Sequence, residues 1–441
     1  MITYSIIQKS RLEGGLRLDA EYYQPEYLKL IDNLNMLGAV PVGEVATNLK
    51  RKFKPQKGEL FQYIEISEVD LSTGEYNKAE ILGENAPDRA QWIVKQNDVI
   101  VSTVRPIRNA VSLIREDVKN LVCSSGFAVL KPEKIEPEYL FAYLKSQPIV
   151  KLLDRKTTAT MYPAVTIEDI LETKICLGDQ AFRKEIVDAV IEAQRELGSS
   201  RYLYSQAENL LLEELGMKDF EIDDDLSYIV NLSEVKSARR ADAEYFQPKY
   251  KKIISKLKSQ NAKLLGELVG RVKIKIKPKS EEIYKYIEIS DVNIGSGDVG
   301  FNEIIGKELP ANARIPIKGG ELLISKVRPT RGAISIVPFD FNYNFICSGA
   351  FSVFKAAEVL KEYLFVVLRS VVGKLQFEEP TTGTSYPTIT DEDVENILVP
   401  VLPKPTQQKI ADSVRKSHEA RSKAKQLLEQ AKGKIENLIE K

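Results

Sequence analysis

The sequence predicts an α+β protein: two tandem, similar mixed domains, each a mainly antiparallel sheet or barrel with flanking helices. Two long helices separate them and form an antiparallel coiled coil about a pseudo-two-fold axis. Three observations carry this: an in-register internal repeat, short alternating strands inside each copy, and an almost glycine-free, proline-free run closing each copy. DAEYYQP at 19–25 returns as DAEYFQP at 242–248, an offset of 242 − 19 = 223. YIEIS (63–67) and VRPIRNA (104–110) return at the same offset as YIEIS (286–290) and VRPTRGA (327–333). CSSGFAVLK (123–131) and TTATMYP (157–163) return as CSGAFSVFK (347–355) and TTGTSYP (381–387), now at 347 − 123 = 224. One inserted residue between Ala333 and Cys347 accounts for the step. The period far exceeds the 20–50 residues of a solenoid, so the chain is two copies of a domain. The expected boundaries are a first domain at 1–178, a central helix at 179–217, a second domain at 218–402 opening on a linker (218–227), and a distal helix at 403–441.

Within a copy, Pro25 suits the first turn of a helix. Tyr27, Leu30, Ile31 and Leu34 follow at helical spacing, as do Tyr250, Ile253, Ile254 and Leu257. Short strands are expected at FQYIEIS (61–67), DVIVSTV (98–104), NAVSLI (109–114) and GFAVLK (126–131), with turns such as STGE (72–75) and GSGD (295–298) between strands. EYLFAYLKS (138–146) and EYLFVVLRS (362–370) read as a further helix. In the closing runs, Ile186, Val190, Ala193, Leu197, Tyr204, Ala207 and Leu211 keep a 4-3-4-3 spacing once Ser200 is admitted as a polar interruption. Adding 224 gives Ile410, Val414, Ser417, Arg421, Ala424, Leu428, Ala431 and Ile435. Matching seams on two long helices predict a coiled coil, each a rod of about 54 Å at 1.5 Å per residue.

Composition excludes more than it indicates. Lys+Arg and Asp+Glu are both 63, so any polyanion partner must be met by segregated charge. Cys123, Cys176 and Cys347 are too few and too scattered for a disulfide framework, which points to a reducing, cytoplasmic setting. MITYSIIQKS lacks the build of a signal peptide, and no apolar run approaches the ~18 residues of a membrane span. His418 is the single histidine, which argues against histidine acid–base chemistry and histidine metal sites. There is no GxxxxGK[ST] phosphate loop and no Asn/Asp-Pro-Pro-Tyr/Phe tetrapeptide of amino-methyltransferases.

The passage TTGTSYPTITDEDVENILVPVLPKPTQQKI (381–410), with its Gly-x-Ser/Thr-x-x-Pro-like turn, Pro-rich step and Gln-x-x-Ile-like helix start, resembles type I restriction–modification specificity subunits. The first copy, TTATMYPAVTIEDILETKICLGDQAFRKEI (157–186), has Ala159 for the glycine and lacks the Pro-rich step. The resemblance in architecture covers nearly the whole chain. It implies two target recognition domains, each reading half of a split target in double-stranded DNA, with the helices setting the unread spacer. It also implies a non-catalytic chain that docks two methyltransferase subunits, which bring S-adenosylmethionine, and restriction subunits, which bring ATP and Mg. Its role would be DNA methylation and defence against foreign DNA, with no cofactor or metal on this chain. Because the copies resemble each other, similar half-sites in opposite orientation are expected.

Three duplicated segments are candidates for the DNA contact. Lys50, Lys52 and Lys54, followed by Lys57, answer to Lys273, Lys275 and Lys277, followed by Lys279. Alternation in an extended chain puts each trio on one face, suited either to spaced phosphates or to a lysine-protected edge strand. Arg105 and Arg108, with Arg328 and Arg331, sit in the VRP loops. Arg108 and Arg331 suit a groove or phosphates, whereas Arg105 and Arg328 also read as structural ion-pair partners. Thr157, Thr158, Thr160 and Tyr162, with Thr381, Thr382, Thr384 and Tyr386, offer hydroxyls to phosphates, or simply close a turn onto a helix. Glu65 and Glu288 read as structural, and the acidic run EIDDDL (221–226) as a solvated linker. Two competitors remain: a duplicated DNA-binding or scaffold protein acting without a methyltransferase, and an enzyme. An enzyme's site should appear twice, and the pairs Glu65/Glu288 and Asp169/Asp393 lack an accompanying lysine pattern.

Overall fold

The computed structural model describes residues 4–12, 17–158, 161–218, 220, 227–341, 343–356, 359–383 and 385–440. Thr160, Thr384 and the 221–226 run lie outside them. The chain forms two compact units, Met1–Gly198 with Ala420–Lys441, and Ser199–Glu419.

In the first unit, the helix Pro25–Met36 starts on its proline and buries Leu30 and Leu34. Two four-stranded sheets follow. One orders Ala46–Asn48, Phe127–Pro132, Val99–Ser102 and Val111–Leu113, all antiparallel. The other orders Ala79–Leu82, Leu60–Ile64, Leu121–Ser124 and Ala90–Ile93, antiparallel except where Gln62 pairs with Leu121 in parallel. All four residues of Val99–Ser102 are buried because the strand is covered on both faces, which is what an unbroken apolar run signals. Val99 and Val101 pack with Tyr139 and Leu140 of the helix Pro137–Lys145, while Ile100 faces the other way, onto Ile64 and Cys123.

The second unit repeats the plan. Its sheets order Val269–Arg271, Phe351–Ala356, Leu322–Ser325, Ile334–Ile336 and Asn302–Ile305, Ile283–Ile287, Phe345–Ser348, Ala313–Pro316. The one parallel pair is again present, Lys285 with Phe345. Since 285 − 62 = 223 and 345 − 121 = 224, with Ile334–Ile336 still at 223 from Val111–Leu113, the inserted residue falls in 337–344. Cys123 and Cys347 are fully buried, and burial pushes both thiols up, Cys347 to about 12.

The STGE and GSGD turns do more than separate strands. Gly74 and Gly297 have positive φ, and a Cβ on either would lie 2.6 or 2.4 Å from the ring of Phe141 or Phe365. At the end of the same helix, the buried Lys145 donates to the carbonyls of Leu71 and Asn109 (2.9 and 3.2 Å). Its counterpart Arg369 donates to Gly332, Ile294 and Gly295 (2.9, 2.9 and 2.7 Å).

The long helices are Gln180–Glu214 and Lys404–Glu440. In the first unit Ile186, Val190, Ala193 and Leu197 share a core with Ala424, Leu428, Ala431 and Ile435. Glu185 pairs with Lys434 (2.6 Å) and Glu196 with Lys423, so residue numbers rise on one helix as they fall on the other. In the second unit Ala207 and Leu211 pack with Ile410 and Val414, beside the partly buried Tyr204. The helices therefore run antiparallel, as a two-fold relation between the copies implies. Ser417 donates to the Ser200 carbonyl (2.7 Å), and the two hydroxyls lie 2.9 Å apart. Arg421 leaves the apolar seam pattern: it is buried and ion-paired with Asp70 (2.9 Å) and Glu75. The His418 ring lies 5.5 Å from that of Phe365. No helix among the described residues is long and apolar enough to cross a membrane, and no cluster of metal-ligating side chains occurs among them.

Candidate nucleic-acid interface

In each unit the VRP loop and the Thr-rich turn are neighbours. Val104 and Thr158 both bridge to Ala164, as Val327 and Thr382 bridge to Thr388. The Arg105 N–H donates to the Pro163 carbonyl and the Arg328 N–H to Pro387, both at 2.7 Å. These bonds hold Arg105 and Arg328 at φ 49° and 47°, a left-handed conformation that is uncommon outside glycine. A short 3₁₀ turn follows each, Pro106–Arg108 and Pro329–Arg331, closing on Asn109 and Gly332, also left-handed.

The arginine expected as an ion-pair partner has no carboxylate partner among the described residues. Instead the Arg105 guanidinium lies 5.3 Å over the Tyr162 ring, and Arg328 4.9 Å over Tyr386, where it also donates to the Ser385 carbonyl (3.1 Å). Tyr162 and Tyr386 are exposed, at 65% and 69%. Each unit thus presents a guanidinium on an open aromatic face, with Arg108 or Arg331 exposed one turn later. Thr157 and Thr381 hydroxyls donate to Asp154 and Glu378 carbonyls (2.7 Å each), and Thr158 and Thr382 to Ala164 and Thr388 (3.5 and 3.4 Å). Those hydroxyls close the turn.

The lysine segments are extended and held on one side by the sheet. Phe53 N–H donates to Gln91 and Ile276 N–H to Arg314, an equivalent pair of bonds. In the first unit the alternation is complete: Lys50, Lys52 and Lys54 are exposed, with Lys57 beyond them, while Phe53 is buried and Arg51 forks onto Asp98. In the second, Lys273, Lys275 and Lys277 are exposed, but so are Ile274 and Ile276, at 65% and 37%. Lys279 is paired with Glu282 (2.6 Å). Glu65 and Glu288 each begin a 3₁₀ turn, and Asp169 and Asp393 close capping boxes with Thr166 and Thr390. All four therefore have structural occupations.

Sequence reading missed one charged group in the second unit. Arg271 donates to Asp391 (2.6 Å) and Glu395 (2.5 Å), and Lys326 donates to the other Asp391 oxygen (2.8 Å). Burial raises the Asp391 pKa, but hydrogen bonds from Lys326 and Ser352, with the nearby cations, win and hold it below the usual range. These residues have no repeat-wide signal: the first copy has Asn48, Thr103 and Ile167 in their places.

Each unit thus repeats a two-sheet core with a left-handed Arg–Tyr loop and an exposed lysine segment. Residues 248–430 match the Type I restriction modification DNA specificity domain family. A 134-residue stretch is 35% identical to the type I restriction enzyme HindI specificity subunit of Haemophilus influenzae, covering 28% of this chain and 29% of that relative's length. Two solved chains align over 91% of this one. They are the HsdS subunit from Thermoanaerobacter tengcongensis (20% identity, 96% of that chain, TM-score 0.35) and the type I restriction–modification S subunit from M. genitalium (14%, 94%, 0.37).

Proposed function

We propose that this chain is the DNA-reading, non-catalytic subunit of a type I restriction–modification complex, each unit reading one half of a bipartite target. The observation that carries this is the duplicated Arg–Tyr loop, Arg105 on Tyr162 and Arg328 on Tyr386, within a family described by its DNA specificity. Arginine serves both bidentate guanine contacts and phosphates, and exposed lysines on an extended edge suit a backbone. Zero net charge fits a protein that holds DNA as part of a larger assembly rather than alone. In this reading two methyltransferase subunits supply S-adenosylmethionine, and restriction subunits supply ATP and Mg. The helices set the spacer between half-sites.

The test is to express this chain with its neighbouring methyltransferase in a methylation-free host and map modified bases. A split motif that is methylated only when this chain is present supports the proposal. No new methylation, with both proteins soluble and co-purifying, favours a scaffold acting without methyl transfer.

A further inference from the structure

Beneath the lysine segment of the second unit lies a recess of about 570 Å³. That volume falls within the range of small-ligand sites, about 300–1,000 Å³. At one end the charges balance, with Arg271, Lys326 and Asp391 in its lining and Glu395, outside it, paired to Arg271. Its mouth is different. Lys273, Lys275 and Arg314 are exposed and make no ion pair among the described residues; Arg314 donates only to the nearby Ala311 carbonyl (2.6 Å). Three uncompensated cations around one opening attract a multiply charged anion. Val272 and Ile274 supply accessible apolar surface, with Phe351, Val353 and Ile315 packed in the core behind it, and Asn312 adds a neutral hydrogen-bonding group. A cationic mouth, an apolar surface and a polar end match the parts of a nucleotide: phosphate, base face and base edge.

This recess is not shared scaffold. Where the second copy has Arg271, Arg314, Lys326, Ser352 and Asp391, the first has Asn48, Gln91, Thr103, Ala128 and Ile167. The backbone bond from Ile276 to Arg314 repeats that from Phe53 to Gln91, so the frame is kept while the lining is replaced.

We propose that this recess binds one phosphate-bearing nucleoside, either a nucleotide turned out of bound DNA or a free mononucleotide. Its DNA form rests on the function proposed above; its free form does not. Phosphate would sit among Lys273, Lys275 and Arg314, and the base against Val272 and Ile274.

The test uses the full chain assembled with its methyltransferase and the fluorescent base 2-aminopurine, as a free 5′-mononucleotide and inside a target duplex. Two variants carry first-copy residues: Arg314→Gln, which removes only an exposed side chain, and the triple Arg271→Asn, Lys326→Thr, Asp391→Ile, which removes those three lining charges together. If the free mononucleotide binds, and either variant weakens it about tenfold, the recess is a free-nucleotide site. If it does not bind, but the duplex probe brightens on the wild-type assembly and not on Arg314→Gln, the ligand is an unstacked nucleotide of DNA. Absence of both signals overturns the proposal. Duplex retention on filters, measured alongside, keeps the two readings apart: retention without either signal sinks only the recess, and mononucleotide binding without retention sinks only the DNA reading.

Discussion

Arg105 and Arg328 carry backbone strain that a glycine would relieve, on the order of 1–3 kcal/mol for a non-glycine residue in a sparse region. Substitution to glycine also loosens the unfolded chain, an opposing effect of about 0.4–1 kcal/mol. Arg105→Gly and Arg328→Gly should therefore unfold within ~2 kcal/mol of wild type in denaturant titrations. They should nonetheless lose DNA retention several-fold, because the guanidinium leaves its tyrosine. Arg108→Ala and Arg331→Ala should each flatten the plot of log affinity against log salt by about one phosphate contact, measured by filter binding over a salt series.

Lys145 supplies a pH test at the same scale. Burial, helped by the Lys432 charge and opposed by Asp70 and Glu429, lowers its pKa to about 7. The unfolded value is near 10.4, so the unfolded chain binds the extra proton throughout the window between them, and stability must rise with pH there. Arg369, its counterpart, stays charged. The melting midpoint of wild type, relative to Lys145→Arg, should rise from pH 7 to 10, by up to roughly 4 kcal/mol in stability. Parallel curves for the two proteins would show that Lys145 titrates normally. Residues of this kind were only partly legible in sequence. VRPIRNA marked a loop by its repetition, but Tyr162 lies 57 positions from Arg105 in sequence (162 − 105 = 57) and nothing local announced the stack.

Among the elements, periodicity was most informative where one face alone is buried. The helix Pro25–Met36 and the paired long helices follow their apolar spacing closely. The strands Ala79–Leu82 and Ala90–Ile93 carry weak patterns because half or more of their residues reach solvent, and they were not anticipated. Nor was the helix Gln147–Arg155, whose first turn holds Pro148 directly after another helix. At Arg421 the seam frame indicated an apolar position, and a tertiary ion pair took it instead. Burial alone would raise Asp70; the Arg421 charge and the Ser72 hydroxyl outweigh it and bring the carboxyl to about 2. The repeat-equivalent positions carry no such pair: Leu197 stands where Arg421 does in the other long helix, and Asn293 where Asp70 does in the other copy. Arg421→Leu should therefore cost about 3–5 kcal/mol, since it removes the cation facing two buried carboxylates. Adding Asp70→Asn should restore much of the loss. A double-mutant cycle in urea measures both, and additive effects would mean the pair is not coupled.

At the scale of the molecule, the first compact unit is assembled from two distant pieces of chain, whereas the second is one continuous stretch. The first needs Ala420–Lys441 to cover Ile186, Val190 and Leu197. Ending the protein after Glu419 should therefore loosen the first unit while the second, Ser199–Glu419, keeps its core. Amide exchange should rise across 180–198 and the Pro137–Lys145 helix and stay slow in Leu322–Ser325. Equal protection in both units would contradict the shared core.

That arrangement has a consequence for synthesis. The ribosome releases Gly198 long before Lys441, with 441 − 198 = 243 residues still to come. At ~5–20 residues per second the interval is roughly 12–50 s. During it the nascent first domain has its sheets but not its closing helix, and the face bearing Ile186, Val190 and Leu197 stays uncovered. The first unit is thus closed only after the second has been made, so an arrest of translation within Lys404–Glu440 leaves the first unit open.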